Sequence, residues 1–130
     1  MSGKRVGHRI PKASFHSVAV LVSDRARSLA WYTENFGLDV IENDGEWVTV
    51  GRRGENGTLH LCRITEFDPA FSLEPGESGI QFDLPGDFRA SCAALQANGV
   101  RFVTPPTRRP WGWYAKIADP DGNEIRLNPK

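Results

Sequence analysis

Two cysteines, one methionine and no surplus of either charge mark this 130-residue chain. Cys62 and Cys92 lack the spacing of metal-binding pairs, and no export signal is visible. They are therefore expected as free thiols in a reducing, cytoplasmic compartment. Sixteen basic and sixteen acidic side chains cancel, which leaves no global field to attract nucleic acid or an anionic membrane. No apolar run approaches the roughly 18 residues of a membrane span. The absences exclude a disulfide scaffold, a membrane protein and a polycation, and leave a chain long enough to bury one core.

What is present begins with a segment of different character. In residues 1–13, Lys4, Arg5, Arg9 and Lys12 interrupt Gly3, Gly7 and Pro11 with little apolar content, so a flexible basic tail is expected there. Residues 14–130 form the expected single domain. Val18, Val20 and Val22 alternate as a strand. Ser23 or Asp24 then caps a helix carrying Leu29, Tyr32 and Phe36, which Gly37 ends. Strands are expected at about 38–42, 47–52 and 58–64, joined by Asn43-Asp44-Gly45 and Gly54-Glu55-Asn56-Gly57. A connector at 66–77, broken by Pro69, Pro75 and Gly76 and pinned by Phe67, Phe71 and Leu73, leads to a second pass through the same order. Ile80, Phe82 and Leu84 alternate. Asp87 caps a helix bearing Phe88, Cys92 and Leu95, and Gly99 ends it. Strands follow at about 100–104, 114–118 and 124–128, the last two joined by the Asp119-Pro120-Asp121-Gly122-Asn123 turn.

The repetition holds by position. A shift of 62 carries Val18, Val20, Val22 and Gly37 onto Ile80, Phe82, Leu84 and Gly99, and a shift of 66 carries Leu59 and Leu61 onto Ile125 and Leu127. Such self-similarity means two copies of one supersecondary unit packed together. The units span about 15–64 and 78–128. The expected class is α+β, with two βαβββ modules forming a curved, partly open mixed barrel around a shared concavity and helices on the outside.

This order, the segment Val18-Ala19-Val20-Leu21-Val22-Ser23-Asp24 leading to Trp31-Tyr32 and Phe36-Gly37-Leu38, and the closing Asp119-Pro120-Asp121-Gly122-Asn123 resemble the vicinal oxygen chelate superfamily. That group includes glyoxalase I, extradiol dioxygenases, fosfomycin-modifying enzymes and bleomycin resistance proteins. The resemblance implies a hollow lined by the first and last strands of each module, where the enzymes usually hold one divalent metal. It also implies a homodimer. The matching inward positions here are Ser17, His60, Gly79 and Arg126. A catalytic divalent site needs about three imidazole or carboxylate ligands. One imidazole, one hydroxyl, one glycine and one guanidinium do not meet that need, so no metal or other cofactor is expected. His16 has the opposite strand parity and is expected toward the helix layer or rim unless a bulge turns it inward.

Gln81 and Asp83 share the parity of Gly79 and are expected in the hollow, as are Thr58 and Cys62 beside His60. Arg126 either pairs with Asp83 or Glu124 or anchors an anionic ligand oxygen. Trp31 reads as core, and Trp47 as rim or core. Trp111 and Trp113, in a proline-rich loop, are candidates for stacking on a flat ligand, and the Pro110-Trp111-Gly112 stretch resembles one beside the ligand groove of bleomycin resistance proteins. The reading is a metal-independent small-molecule binder, of the antibiotic-sequestering kind, whose ligand is aromatic or anionic. Its site would be Ser17, His60, Gln81, Asp83, Trp111, Trp113 and Arg126. The alternative is a lyase, isomerase or epimerase with His60 as catalytic base, or with a non-standard metal site that includes His16.

Overall fold

The computed structural model describes residues 12–13, 16–45, 47–63 and 75–130. The basic tail up to residue 11, Phe15, and the connector residues Phe67, Phe71 and Leu73 lie outside the described residues. The chain runs β1 (Val18–Val22), α1 (Arg25–Phe36), β2 (Asp39–Asn43), β3 (Val48–Gly51), β4 (Thr58–Arg63), then β5 (Glu77–Leu84), α2 (Phe88–Ala97), β6 (Arg101–Arg109), β7 (Gly112–Ala118) and β8 (Glu124–Pro129). Each module is βαβββ. The strands form two four-stranded sheets, ordered β1-β4-β3-β2 and β5-β8-β7-β6. In each, the first strand runs parallel to the last, while the other neighbours are antiparallel. The mixed sheets do not close into a barrel.

Local chemistry sets the element ends. The Asp24 carboxylate accepts from the Arg27 amide, and Asp87 does the same for Ala90, so each helix begins on an acidic cap. Gly37 ends α1 in the left-handed region at φ 62°, where a Cβ is disfavoured. Gly37→Ala is therefore expected to lower stability by about 1 kcal/mol, measured as a shift in the urea midpoint with unchanged slope.

The apolar parity of the strands builds one core. Val20, Val22, Val50, Leu59 and Leu61 of the first sheet join Leu84, Ala115, Ile117, Ile125 and Leu127 of the second in a single buried cluster with Tyr32, Phe88, Cys92 and Leu95. Trp31 packs edge-on against Tyr32 at the side of this cluster, as expected of a core residue. Phe36 at the end of α1 meets Phe82 of β5, 4.9 Å between ring centres.

The closing turn fastens the modules together. Tyr32 Oη, fully buried on α1, donates to Asp119 Oδ2 at 2.7 Å. Asn123 Nδ2 donates to the Leu21 carbonyl at 2.8 Å, and the Ser23 amide donates to Asp121 Oδ1 at 3.1 Å. The turn thus sits on the end of β1 and the start of α1, and the conformation of one hairpin sets the placement of the other module.

Two expectations change in the second module. The β6–β7 hairpin is longer than the expected 100–104 and 114–118, and absorbs the proline-rich stretch. β6 is an edge strand, where a missing N–H is tolerated, and Pro105 and Pro106 fall where its register against β7 slips, between Thr104 and Thr107. β5 starts earlier, at Glu77, with a register shift before Ile80. Gly79 occupies that irregularity at φ 73°, a left-handed conformation that costs any residue with a Cβ.

Candidate functional site

The polar rows run across the sheets. In the first sheet Glu42 pairs with Thr49, Thr49 with His60, and His60 with Ala19. In the second, Thr104 pairs with Lys116, Lys116 with Arg126, and Arg126 with Gln81. Since cross-strand partners share a face, His60 and Arg126 hold equivalent places in the two modules, each on the strand parallel to its module's first. Leu59, Leu61, Ile125 and Leu127 point the other way, into the core.

Around His60 the sheet builds an aromatic stack. The Trp47 indole lies parallel to the imidazole, 3.6 Å between ring centres and 27° between planes. The His16 ring meets Trp47 edge-on at 5.4 Å. Trp47 Nε1 donates to Glu42 Oε1 at 3.3 Å, which also accepts from Thr49 Oγ1 at 3.4 Å. His16 is thus brought to the side of His60, not to the helix layer. The physical reason is that β1 begins only at Val18, so residues 16 and 17 precede the ladder and escape its alternation. Ser17 Oγ lies 3.0 Å from His16 Nδ1. Cys62 is buried, in keeping with a packing role.

Around Arg126 a second cluster forms. Its guanidinium carbon lies 4.8 Å from the Trp111 ring centre and 5.3 Å from that of Tyr114, and those two centres are 5.6 Å apart. Three similar lengths make a nearly equilateral triangle, so both rings lie to one side of the cation. Arg109 adds a second guanidinium over Tyr114 at 5.9 Å. Arg126 forms no ion pair with Asp83 or Glu124 among the described residues; Glu124 instead lies 3.5 Å from Lys116, which also meets Glu77 at 3.3 Å. Arg126 Nε donates to Asn128 Oδ1 at 3.0 Å, and Asn128 Nδ2 donates to Gln81 Oε1 at 2.9 Å.

The expected site residues are therefore divided. Ser17 and His60 belong to the first cluster; Gln81, Trp111 and Arg126 belong to the second. Asp83 is exposed on β5 and borders a cleft of about 780 Å³ that Val18, Phe36 and Phe82 also line. Trp113 departs from the group. It lies within β7 with the parity of Ala115 and Ile117, packs toward the core, and stacks with Arg89 of α2 at 5.0 Å. Tyr114 follows it directly, and strand alternation sends the two to opposite faces. Trp47 and Tyr114 were not singled out as site residues, yet they hold corresponding places: two residues before Thr49 and before Lys116. The repeat contained that signal.

Among the described residues no three His, Cys, Asp or Glu side chains converge as ligands. Arg126 places a permanent cation at one of the four positions, and the backbone of Gly79 disfavours any ligating side chain at another.

A pair of βαβββ modules with an aromatic-walled polar face defines a protein of the vicinal oxygen chelate fold. The sequence pattern of the Glyoxalase/Bleomycin resistance protein/Dioxygenase superfamily matches residues 14–127, and the chain belongs to that superfamily. It is similar to the antibiotic-binding protein TnmS3 from Streptomyces sp. CB03234, with 31% identity, a TM-score of 0.72, and coverage of 94% of this chain and 98% of that one. A superfamily member from Sphaerobacter thermophilus DSM 20745 is 27% identical at a TM-score of 0.75, covering 92% and 98%. An uncharacterised protein of Shewanella frigidimarina is 29% identical over 92% of this chain and 97% of its own length. No helix among the described residues is long and apolar enough to cross a membrane.

Proposed function

We propose that this protein binds a flat, conjugated small molecule bearing an anionic oxygen, without a metal, and sequesters it rather than converting it. The observation that carries this is Arg126, laid against Trp111 and Tyr114 where the resemblance would put a metal-binding carboxylate. A guanidinium stacks on a conjugated ring and meets a carboxylate or enolate through its N–H groups. Trp111, 62% exposed, extends that surface. The antibiotic-binding activity of TnmS3 makes an antibiotic a natural ligand class to test first.

In this reading the working unit is a homodimer, in which a second copy related by a two-fold axis covers the polar faces. The test combines three measurements on untagged protein. Titration with planar aromatic acids is expected to quench tryptophan emission with a micromolar or lower dissociation constant. Elemental analysis is expected to find less than about one-tenth equivalent of nickel, zinc, iron or manganese. Light scattering at micromolar concentration is expected to give twice the chain mass. A stoichiometric metal that the chain retains through dialysis would end the metal-independent reading.

A further inference from the structure

We infer that Asn128, braced by Gln81, is a positioning residue that dictates which edge of Arg126 meets the ligand, and that the edge left available selects a carboxylate. The inference rests on the binding reading above. A guanidinium has two edges able to grip a planar carboxylate with paired N–H groups: the side edge, made by Nε and one Nη, and the end edge, made by both Nη atoms. Here Nε already donates to Asn128 Oδ1. The amide of Asn128 is held in that sense because Arg126 Nε–H can only donate, and its Nδ2 in turn donates to Gln81 Oε1. Rotated by half a turn, Asn128 would set an N–H₂ against the Nε–H and lose that bond. The side edge is closed and the end edge remains.

Neighbouring charges reinforce this selection. Lys116, across the ladder from Arg126, is engaged by Glu77 and Glu124, which keeps both acids off Arg126. Trp111 and Tyr114 lie beside the guanidinium at 4.8 and 5.3 Å and limit where it can move. A carboxylate on the end edge forms two parallel bonds; a phenol, protonated at pH 7, accepts through one oxygen only, and a carboxamide offers one acceptor and presents a donor to a donor.

The probes are 2-naphthoate, 2-naphthol and 2-naphthamide, which share a ring system and differ in the group offered to Arg126. Affinities are read from tryptophan quenching at pH 7. The intact protein is expected to prefer 2-naphthoate over 2-naphthamide by at least about tenfold. In Asn128→Ala the Nε edge is freed, the guanidinium loses its fixed orientation, and the preference is expected to fall to about threefold or less. The affinity for 2-naphthamide should fall less than that for 2-naphthoate. Asn128→Asp places an anion on Nε and is expected to remove the preference altogether. Gln81→Ala, on an exposed side chain, is expected to reduce it partway and serves as the second variant should Asn128→Ala fail to fold. A merely structural role for Asn128 would weaken all three probes together. Equal binding of naphthoate and naphthamide by the intact protein overturns this inference together with the anionic part of the proposed function; an undiminished preference in both Asn128→Ala and Gln81→Ala overturns this inference alone. Binding of no probe overturns both.

Discussion

Arg126→Ala is expected to weaken binding of a planar aromatic acid by about 50-fold. A hydrogen bond to a charged group contributes about 1.5–3 kcal/mol, and 1.4 kcal/mol is tenfold in affinity, so loss of the guanidinium removes between one and two decades. The loss should be specific. A neutral ligand of the same shape, held by stacking on Trp111 and Tyr114, should lose no more than a few-fold. Arg126→Lys keeps the charge but loses the planar fork, and should recover only part of the affinity. The measurement is a quenching or calorimetric titration of the three proteins with the acid and its amide. A loss below threefold for the acid would show that Arg126 is a structural cation stacked on aromatic rings, and the proposed function would fall with it.

The largest effect on stability is expected from Asp119→Ala. This carboxylate is 5% exposed. Its Oδ1 accepts from the amides of Asp121 and Asn123, and its Oδ2 from Tyr32 Oη and Asn123 Nδ2. Truncation leaves the buried Tyr32 hydroxyl without its acceptor and releases the turn that ties β8 to β1 and α1. With each unmet buried donor costing about 1–3 kcal/mol, a loss of about 3 kcal/mol or more is expected in urea denaturation. Tyr32→Phe removes the donor rather than stranding it and should cost about 1 kcal/mol.

The same contact has a pH signature. Burial first, and then the nearby Asp119 charge, raise the Tyr32 phenol far above its usual value near 10. The folded state therefore keeps the phenol proton while the unfolded chain releases it. The stability associated with the neutral phenol is intact below pH 10 and is lost progressively as pH rises above it. Tyr32→Phe should flatten that alkaline limb. Because the network joins the two modules, its weakening should also loosen the mutual placement of the His60 and Arg126 faces, and ligand affinity should decline before unfolding.

How much was legible in advance follows from which interactions are local. Alternation at Val18, Val20 and Val22 and at Ile125 and Leu127, acidic caps at Asp24 and Asp87, and Gly37 at a helix end all act over a few residues. They determined the two βαβββ modules and which side chains of β4 and β8 leave the core. Repetition alone placed His60 and Arg126 at matching positions. What the chain could not disclose residue by residue was the pairing of strands. The β6–β7 hairpin continues through Pro105 and Pro106 because an edge strand tolerates them, and this extension sends Trp113 to the core side while Trp111 and Tyr114 join Arg126. His16 comes to His60 because β1 starts too late to hold it to the ladder's parity. Tertiary contact also decided that Asn128 and Gln81, polar neighbours on parallel strands, form one chain of hydrogen bonds ending on the guanidinium. Sequence periodicity assigns a side chain to a face; only the assembled sheet decides which side chains on that face touch.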